Sequence, residues 1–394
     1  MTIVPKGYRF AVAAAGFKRA DRNDLGLILS SGPAVAAGVF TTNRFQAAPV
    51  LVCKAALAES PLARAILVNS GQANACTGDE GLANCHATLD IVSEFARVQP
   101  EEILPASTGV IGAQLKMELW NQAGLRLAGT LGRAKPMDVA KAMMTTDTFP
   151  KLVSRACQLS GGEVRLLGMC KGAGMICPTM ATLLGFLLCD ADIEPRAWRE
   201  MLTYCADRSF NALTVDGDTS TNDCLLALAN GAARVRVSSK DDLEALRQCM
   251  LAVCQELSYR IVQDAEGGTK VAHIVVSGAK SHPQAELAAR AIGNSPLVKT
   301  ALFGCDPNWG RIIAALGRSG ADFEPQDVVL SIGGILVFEK GQPAPEDLDA
   351  LLAPVMRHQD VKIELCIGSG RGTFTLLASD LSKRYVEINA DYRS

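Results

Sequence analysis

The chain has 394 residues, 48% of them apolar and 20% charged, with 39 Lys+Arg against 41 Asp+Glu and a net charge of −2. At roughly 150 residues per domain this is material for two or three domains with a sizeable core. The near-neutral balance excludes a generally basic nucleic-acid surface and an acidic solvating chain, and no apolar run reaches the roughly 18 residues needed to span a membrane.

The chain opens with Lys6 and Arg9 ahead of a short apolar stretch, Phe10 to Phe17. That outline resembles a leader, but the stretch is mostly alanine and Lys18-Arg19 follow at once, so it reads as part of the fold. Leu25 to Leu29, Ala34 to Phe40 and Pro49 to Cys53 read as strands. Ala65 to Val68 is a further strand running into a polar loop, Asn69 to Asn74. Helical spacing predicts helices over Gly81 to Val98, Gln114 to Ala123 with Gly124 as its stop, and Pro136 to Met144. A weak composition shift falls at Leu159 to Gly162. A strand from Val164 to Met169 enters a glycine-rich turn at Lys171 to Gly174, and Ala181 to Cys189 is strongly apolar. A helix is expected over Arg196 to Asp207, and another after Ser239-Lys240-Asp241-Asp242 in capping-box style. Val271 to Ser277 reads as a strand, Pro283 to Gly293 as a helix. Val328 to Ile332 and Ile335 to Phe338 flank Gly333-Gly334 as a hairpin, and strands at Val361 to Ile367 and Thr373 to Leu377 close the chain. Strands and helices do not alternate strictly, so the expected fold class is mixed α/β (α+β): mixed sheets packed with covering helices.

Thirteen cysteines are an odd number at irregular spacings, with no C-x-x-C pair and several inside apolar runs (Cys53, Cys189, Cys254, Cys366). They read as buried reduced thiols, and with no leader they point to the cytoplasm. Cys85-His86 has no second ligand cluster near it, so no metal site is expected. Other motifs fail on inspection. Gly172-Ala173-Gly174 lacks the third glycine of a dinucleotide loop, Cys177 standing in its place and Pro178 interrupting the helix that should follow. Asp216-Gly217-Asp218 has Thr221 and Ala227 where a calcium loop needs Gly and Glu. Gly368 to Gly372 reads as a loop between strands. By its residues alone, Lys171 to Leu184 is a polar turn feeding a buried run, with Thr182 a capping or core hydroxyl.

Across nearly its whole length, however, the chain resembles the glutamate N-acetyltransferase (ornithine acetyltransferase) family of arginine biosynthesis. The resemblance is carried by Ala36 to Thr41, Val68-Asn69-Ser70-Gly71-Gln72-Ala73-Asn74-Ala75-Cys76-Thr77-Gly78, Ser107-Thr108-Gly109-Val110-Ile111-Gly112, Thr145-Thr146-Asp147-Thr148, Lys171 to Thr182, Val215 to Asp223, Asp306-Pro307-Asn308-Trp309-Gly310-Arg311 and Ile388 to Ser394, in that order.

The resemblance implies a fold shared with self-cleaving aminopeptidases. It also implies self-cleavage at Ala181–Thr182, giving an N-terminal α chain, 1–181, and a C-terminal β chain, 182–394, assembled as two of each. Thr182 then becomes a new N-terminus whose α-amine, with a reference pKa near 8, takes the proton of its own hydroxyl. The implied reaction is acetyl transfer from N2-acetylornithine to glutamate through acetyl-Thr182, with Thr108 and Gly109 as the oxyanion hole. Thr148, Lys171, Thr182, Glu266, Asn389 and Ser394 are the implied substrate-binding residues. Lys171 suits an α-carboxylate and Glu266 an ammonium. The implied partners are small amino-acid substrates and the chain's own two pieces, with no nucleic acid, membrane, metal or resident cofactor. Acetyl-CoA is left open as a second acetyl donor. The sequence departs from the family pattern at Gln72 and Thr179, both expected as Asn, at Ala265 and Gly268, and at Ser394, where Thr is common. Two other readings stand beside this one: a self-cleaving aminopeptidase, in which water rather than an amine receives the acyl group, and a non-enzymatic binding protein on the same fold.

Overall fold

The computed structural model describes residues 2–17, 21–177 and 183–391. The chain divides into two compact units, one from the described parts of Met1–Asn211 with Asp218–Ser258, the other from the described parts of Ala212–Gly217 with Tyr259–Tyr392.

The first unit is one mixed sheet built from β1 (Tyr8–Ala13), β2 (Leu25–Phe40), β3 (Leu62–Gln72), β4 (Ile103–Val110), β5 (Lys151–Leu159), β6 (Gly162–Lys171), β7 (Leu184–Cys189) and β9 (Cys224–Ala229). Its order is β4-β3-β2-β9-β7-β6-β5, with β1 added on β2. Helices α1 (Ala48–Glu59), α2 (Gly78–Ala96), α3 (Met117–Thr130), α4 (Pro136–Ala142), α5 (Pro195–Asp207) and α6 (Lys240–Gln263, to Ser258 in this unit) complete it. Both faces of the sheet are buried. Tyr8, Phe10 and Val12 of β1 join one core cluster with Val139 and Ala140 of α4. Ala11 and Ala13 join another with Leu89 and Val92 of α2 and Trp120 and Leu127 of α3. Strands covered on both sides need apolar residues at every position, which is why these runs do not alternate. Gly168 of β6 marks a close approach of α6, since a Cβ there would meet Val253 at 2.6 Å and Leu257 at 2.7 Å.

The second unit carries its own sheet, from β8 (Leu213–Thr214), β10 (Val271–Ala279), β11 (Val329–Ile332), β12 (Ile335–Glu339), β13 (Gln342–Pro343), β14 (Asp360–Cys366) and β15 (Gly372–Ser379). The order is β13-β12-β11-β14-β10-β15-β8. Here the strands alternate: Ile274 and Val276 of β10 and Ile363 and Leu365 of β14 enter one core with Ala288 and Ile292 of α7 (His282–Gly293). Helices α8 (Pro296–Phe303), α9 (Trp309–Gly317), α10 (Leu348–Met356) and α11 (Lys383–Asp391) follow. No helix among the described residues is long and apolar enough to cross a membrane.

The expected mixed fold class holds, and several local expectations are corrected. Pro49 to Cys53 is the first half of α1 rather than a strand, with Pro49 in the opening turn, where its missing N–H costs nothing. Gly124 does not stop α3, which runs on to Thr130; a Cβ at Gly124 would meet Ile91 of α2 at 2.6 Å, so the glycine serves helix packing. Asn69 to Gln72 is not a loop but the buried end of β3. Leu159 to Gly162 is the turn of the β5–β6 hairpin, and β5 itself was not anticipated. The Phe10 to Phe17 stretch contains β1 from Phe10 to Ala13, paired antiparallel to β2.

Candidate active site

The ends of β3 and β4 lie side by side in parallel register, Ser70 opposite Thr108 and Gly71 opposite Gly109. This pairing brings the 69–74 segment against the 107–112 segment. Gly109 has φ +133°, and a Cβ there would stand 2.2 Å from the Gly71 carbonyl carbon, so only glycine fits. Thr108 is half-buried beside it.

A buried polar network fixes these strand ends. Ser107 Oγ donates to Asn69 Oδ1 at 2.6 Å, and Asn69 Nδ2 to the Gln72 carbonyl at 2.9 Å. Asn222 Nδ2 donates to the carbonyls of Ala73 at 2.6 Å and Ser107 at 2.8 Å, while its own Oδ1 accepts from Thr221 Oγ1 at 2.6 Å. In a low-dielectric interior such a set is rigid when complete and costly when any member is lost. Thr221 and Asn222 thus tie the β3 and β4 ends together. Gln72 uses its extra methylene: Nε2 donates to the Gln114 carbonyl at 2.6 Å and Oε1 accepts the Lys116 N–H at 3.1 Å. The departure at this position therefore holds the approach to α3.

Lys171 ends β6 and pairs with Leu184, the first residue of β7. Leu184 in turn pairs with Cys224 of β9, in parallel. Lys171 is buried, and its charge acts on the Asp147 carboxylate. Next to it, Asp147 accepts the Gly172 N–H at 2.8 Å, the Thr145 N–H at 3.0 Å and the Lys151 ammonium at 2.7 Å. Both side chains of the Asp147–Lys151 pair are fully buried. Burial pushes the Asp147 carboxyl up, but the charges of Lys151 and Lys171 and the hydrogen bonds from Lys151 and Gly172 outweigh it and hold the group below the usual carboxylate range. Asp147 is therefore an anion that anchors the start of β5 to the turn after β6. Thr148, beside it, is exposed.

In the second unit, Glu266 is buried and accepts Asn389 Nδ2 at 2.7 Å. Asn389 lies on α11, and its amide also donates to the Tyr385 carbonyl at 3.0 Å. The C-terminal residues 383–391 are thus a helix tied to Glu266, not a frayed end. Ala181, Thr182, Thr179 and Ser394 lie outside the described residues.

The structure sets Thr108 and Gly109 against Ser70 and Gly71, places Lys171 near Asp147, and joins Glu266 to Asn389. Asp147, Lys151, Asn69 and Asn222 were given no role by sequence. The four-residue spacing of opposite charges at Asp147 and Lys151 was a visible signal; their complete burial was not. Among the thiols, burial pushes Cys85 and Cys189 up to about 12, as expected of inert core cysteines.

Known proteins match this chain closely. The model of the ArgJ family matches residues 9–394. The arginine biosynthesis bifunctional protein ArgJ of Nitratidesulfovibrio vulgaris is 54% identical over 394 residues, 100% of each chain. The crystal structure of arginine biosynthesis bifunctional protein ArgJ from Bacillus halodurans is 35% identical at TM-score 0.49, covering 52% of this chain and 96% of that one. Ornithine acetyltransferase of Mycobacterium tuberculosis, solved with ornithine, is 34% identical at TM-score 0.38, covering 46% of this chain and 94% of that one. By the match along its length, this chain belongs to the ArgJ family.

Proposed function

We propose that the chain is an acyltransferase of arginine biosynthesis that moves the acetyl group of N2-acetylornithine to glutamate through acetyl-Thr182, having first cut itself at Ala181–Thr182. Membership of the ArgJ family supports the coarse reading. The observation that carries the finer one is the register of Lys171 against Leu184, two residues after Thr182 in sequence. A buried cation stands at that point, beside the Asp147 carboxylate, with a charge suited to the α-carboxylate that both substrates bear.

The chemistry follows from an N-terminal threonine. In the precursor the Thr182 hydroxyl attacks the Ala181 carbonyl, the amide becomes an ester, and water opens the ester to leave a free α-amine. In turnover that amine accepts the hydroxyl proton while Oγ attacks the acetyl carbonyl, and ornithine leaves with its amine protonated. Glutamate's amine then attacks the acetyl ester and restores Thr182. Each addition makes an oxyanion, for which the Thr108 hydroxyl and the Gly109 N–H are the proposed donors. A donor of this kind is worth about 3–4 kcal/mol in the transition state. Thr148, Lys171, Glu266, Asn389 and Ser394 are the proposed substrate contacts, with Glu266 suited to an ammonium. The mature enzyme would comprise chains 1–181 and 182–394, two of each, acting in the cytoplasm.

Incubation with N2-acetylornithine and glutamate tests this. Equal amounts of ornithine and N-acetylglutamate, with parallel double-reciprocal plots of a two-step exchange, are expected. Release of acetate without N-acetylglutamate would point instead to the hydrolase.

A further inference from the structure

We infer that Cys157 and Cys249 are a modification site, a cysteine pair that a small disulfide converts reversibly into an intramolecular disulfide clamping β5 to α6. Neither residue has a part in the proposed acetyl transfer.

Cys157 of β5 lies opposite Val164 of β6, and Val153 opposite Gly168. Residues two apart on a strand share a face, so Cys157 looks out on the same side as Gly168. That is the side covered by α6, since Val253 and Leu257 approach Gly168 there. Cys249 is four residues before Val253, one helical turn along the same helix face.

Strand β5, with Ser160 in the turn after it, is pinned to helix α6 at two points. Arg155 pairs with Glu256 at 3.1 Å, and the Ser160 N–H donates to Asp242 at 2.7 Å. The two elements therefore run in opposite directions. Between the pins the strand covers five residues, about 17 Å, and the helix fourteen, about 21 Å. Two-fifths of the way along the strand is Cys157, and the facing point on the helix falls at about residue 250. Cys249 is thus the residue of α6 set against Cys157 on both counts.

The ionisation of the thiols agrees. A hydrogen bond from Cys249 pulls the Cys157 thiol below the usual cysteine range, while the same interaction pushes Cys249 up. Cys157 is buried on the edge strand of the sheet and Cys249 of α6 is half-buried, which gives solvent a route to the pair.

Formation is an exchange with a small disulfide such as oxidised glutathione. A thiolate of the pair attacks one glutathione sulfur and expels the first reduced glutathione. The second cysteine, losing its proton, attacks the mixed disulfide and expels the other. Two protein thiols lose two electrons and two protons, and one glutathione disulfide becomes two thiols.

The test is peptide mapping of the folded protein after oxidised glutathione, alkylation and denaturation. The expected product is a cross-linked peptide joining Cys157 to Cys249, lighter by two hydrogens than the separate peptides and lost on treatment with dithiothreitol. Cys157→Ser and Cys249→Ser are each expected to lack it while melting at the wild-type temperature. Exposed Cys76 should take up glutathione in all three proteins, which reports that the oxidant acted. Recovery of Cys157 and Cys249 as free thiols, or each capped separately by glutathione, while Cys76 has reacted, overturns the inference. Peptide mapping reads the same whether or not Ala181–Thr182 is cut, so failure of one proposal is separable from failure of the other.

Discussion

Replacing Asp147 by alanine leaves the Lys151 ammonium in a fully buried position without its 2.7 Å partner. Because neither side chain reaches water, the loss is not softened by solvent screening. Removing one partner of such a pair costs about 3–5 kcal/mol. The backbone N–H groups of Gly172 and Thr145 lose their acceptor in the same step. Asp147→Ala should therefore lower the urea midpoint strongly. Lys151→Met combined with Asp147→Leu, which removes both charges, should recover a large part of the loss. The pH dependence has a definite sign. The folded carboxyl lies below its unfolded value, so its contribution is complete above about pH 4–5 and is lost only as acid protonates the folded group. The deficit of Asp147→Ala should stay constant from neutral to about pH 5 and shrink below it. Urea unfolding of wild type, Asp147→Leu, Lys151→Met and the double variant at fixed protein concentration closes the cycle, and Asp147→Ala beside wild type across pH reads the second effect. A single-mutant cost under about 1 kcal/mol, or strictly additive single mutants, would refute the claim of a coupled buried pair.

Thr108→Val keeps shape and burial but removes the hydroxyl, so kcat should fall about 10²–10³-fold with little change in Tm. Gly109→Ala forces a Cβ to within 2.2 Å of the Gly71 carbonyl carbon at a φ of +133°, and should cost both stability, by about 1–3 kcal/mol, and activity. Deleting residues 389–394 removes Asn389 from Glu266 and should abolish acetyl transfer in a protein that still folds, with circular dichroism as the check on folding.

The sequence made the long amphipathic elements legible. The helices over Gly78–Ala96, Pro195–Asp207 and Lys240–Gln263 and the Gly333-Gly334 hairpin were all anticipated, because period and turn chemistry are local. Pro49 to Cys53 misled because five apolar residues in a row carry no period, and only packing against the sheet decides between strand and helix. Asn69 to Asn74 misled for another reason. Polar residues read as a loop, yet Asn69 and Gln72 are buried with partners at Ser107, Gln114 and Lys116, tens of residues away in sequence. No local pattern announces such partners. The candidate site was legible through the family resemblance alone: nothing in spacing or composition singles out Thr108, Lys171 or Glu266. The supporting anion Asp147 stood inside a quoted motif without a role, since its burial with Lys151 is a property of the fold.

The central claim is that Thr182 becomes an N-terminal nucleophile by cutting the chain before itself. Denaturing mass spectrometry of the wild-type protein beside Thr182→Ala tests it most directly. The expected masses are those of residues 1–181 and 182–394 for wild type and a single uncut chain for the variant. A wild-type protein that transfers acetyl groups while remaining one intact chain would contradict the mechanism.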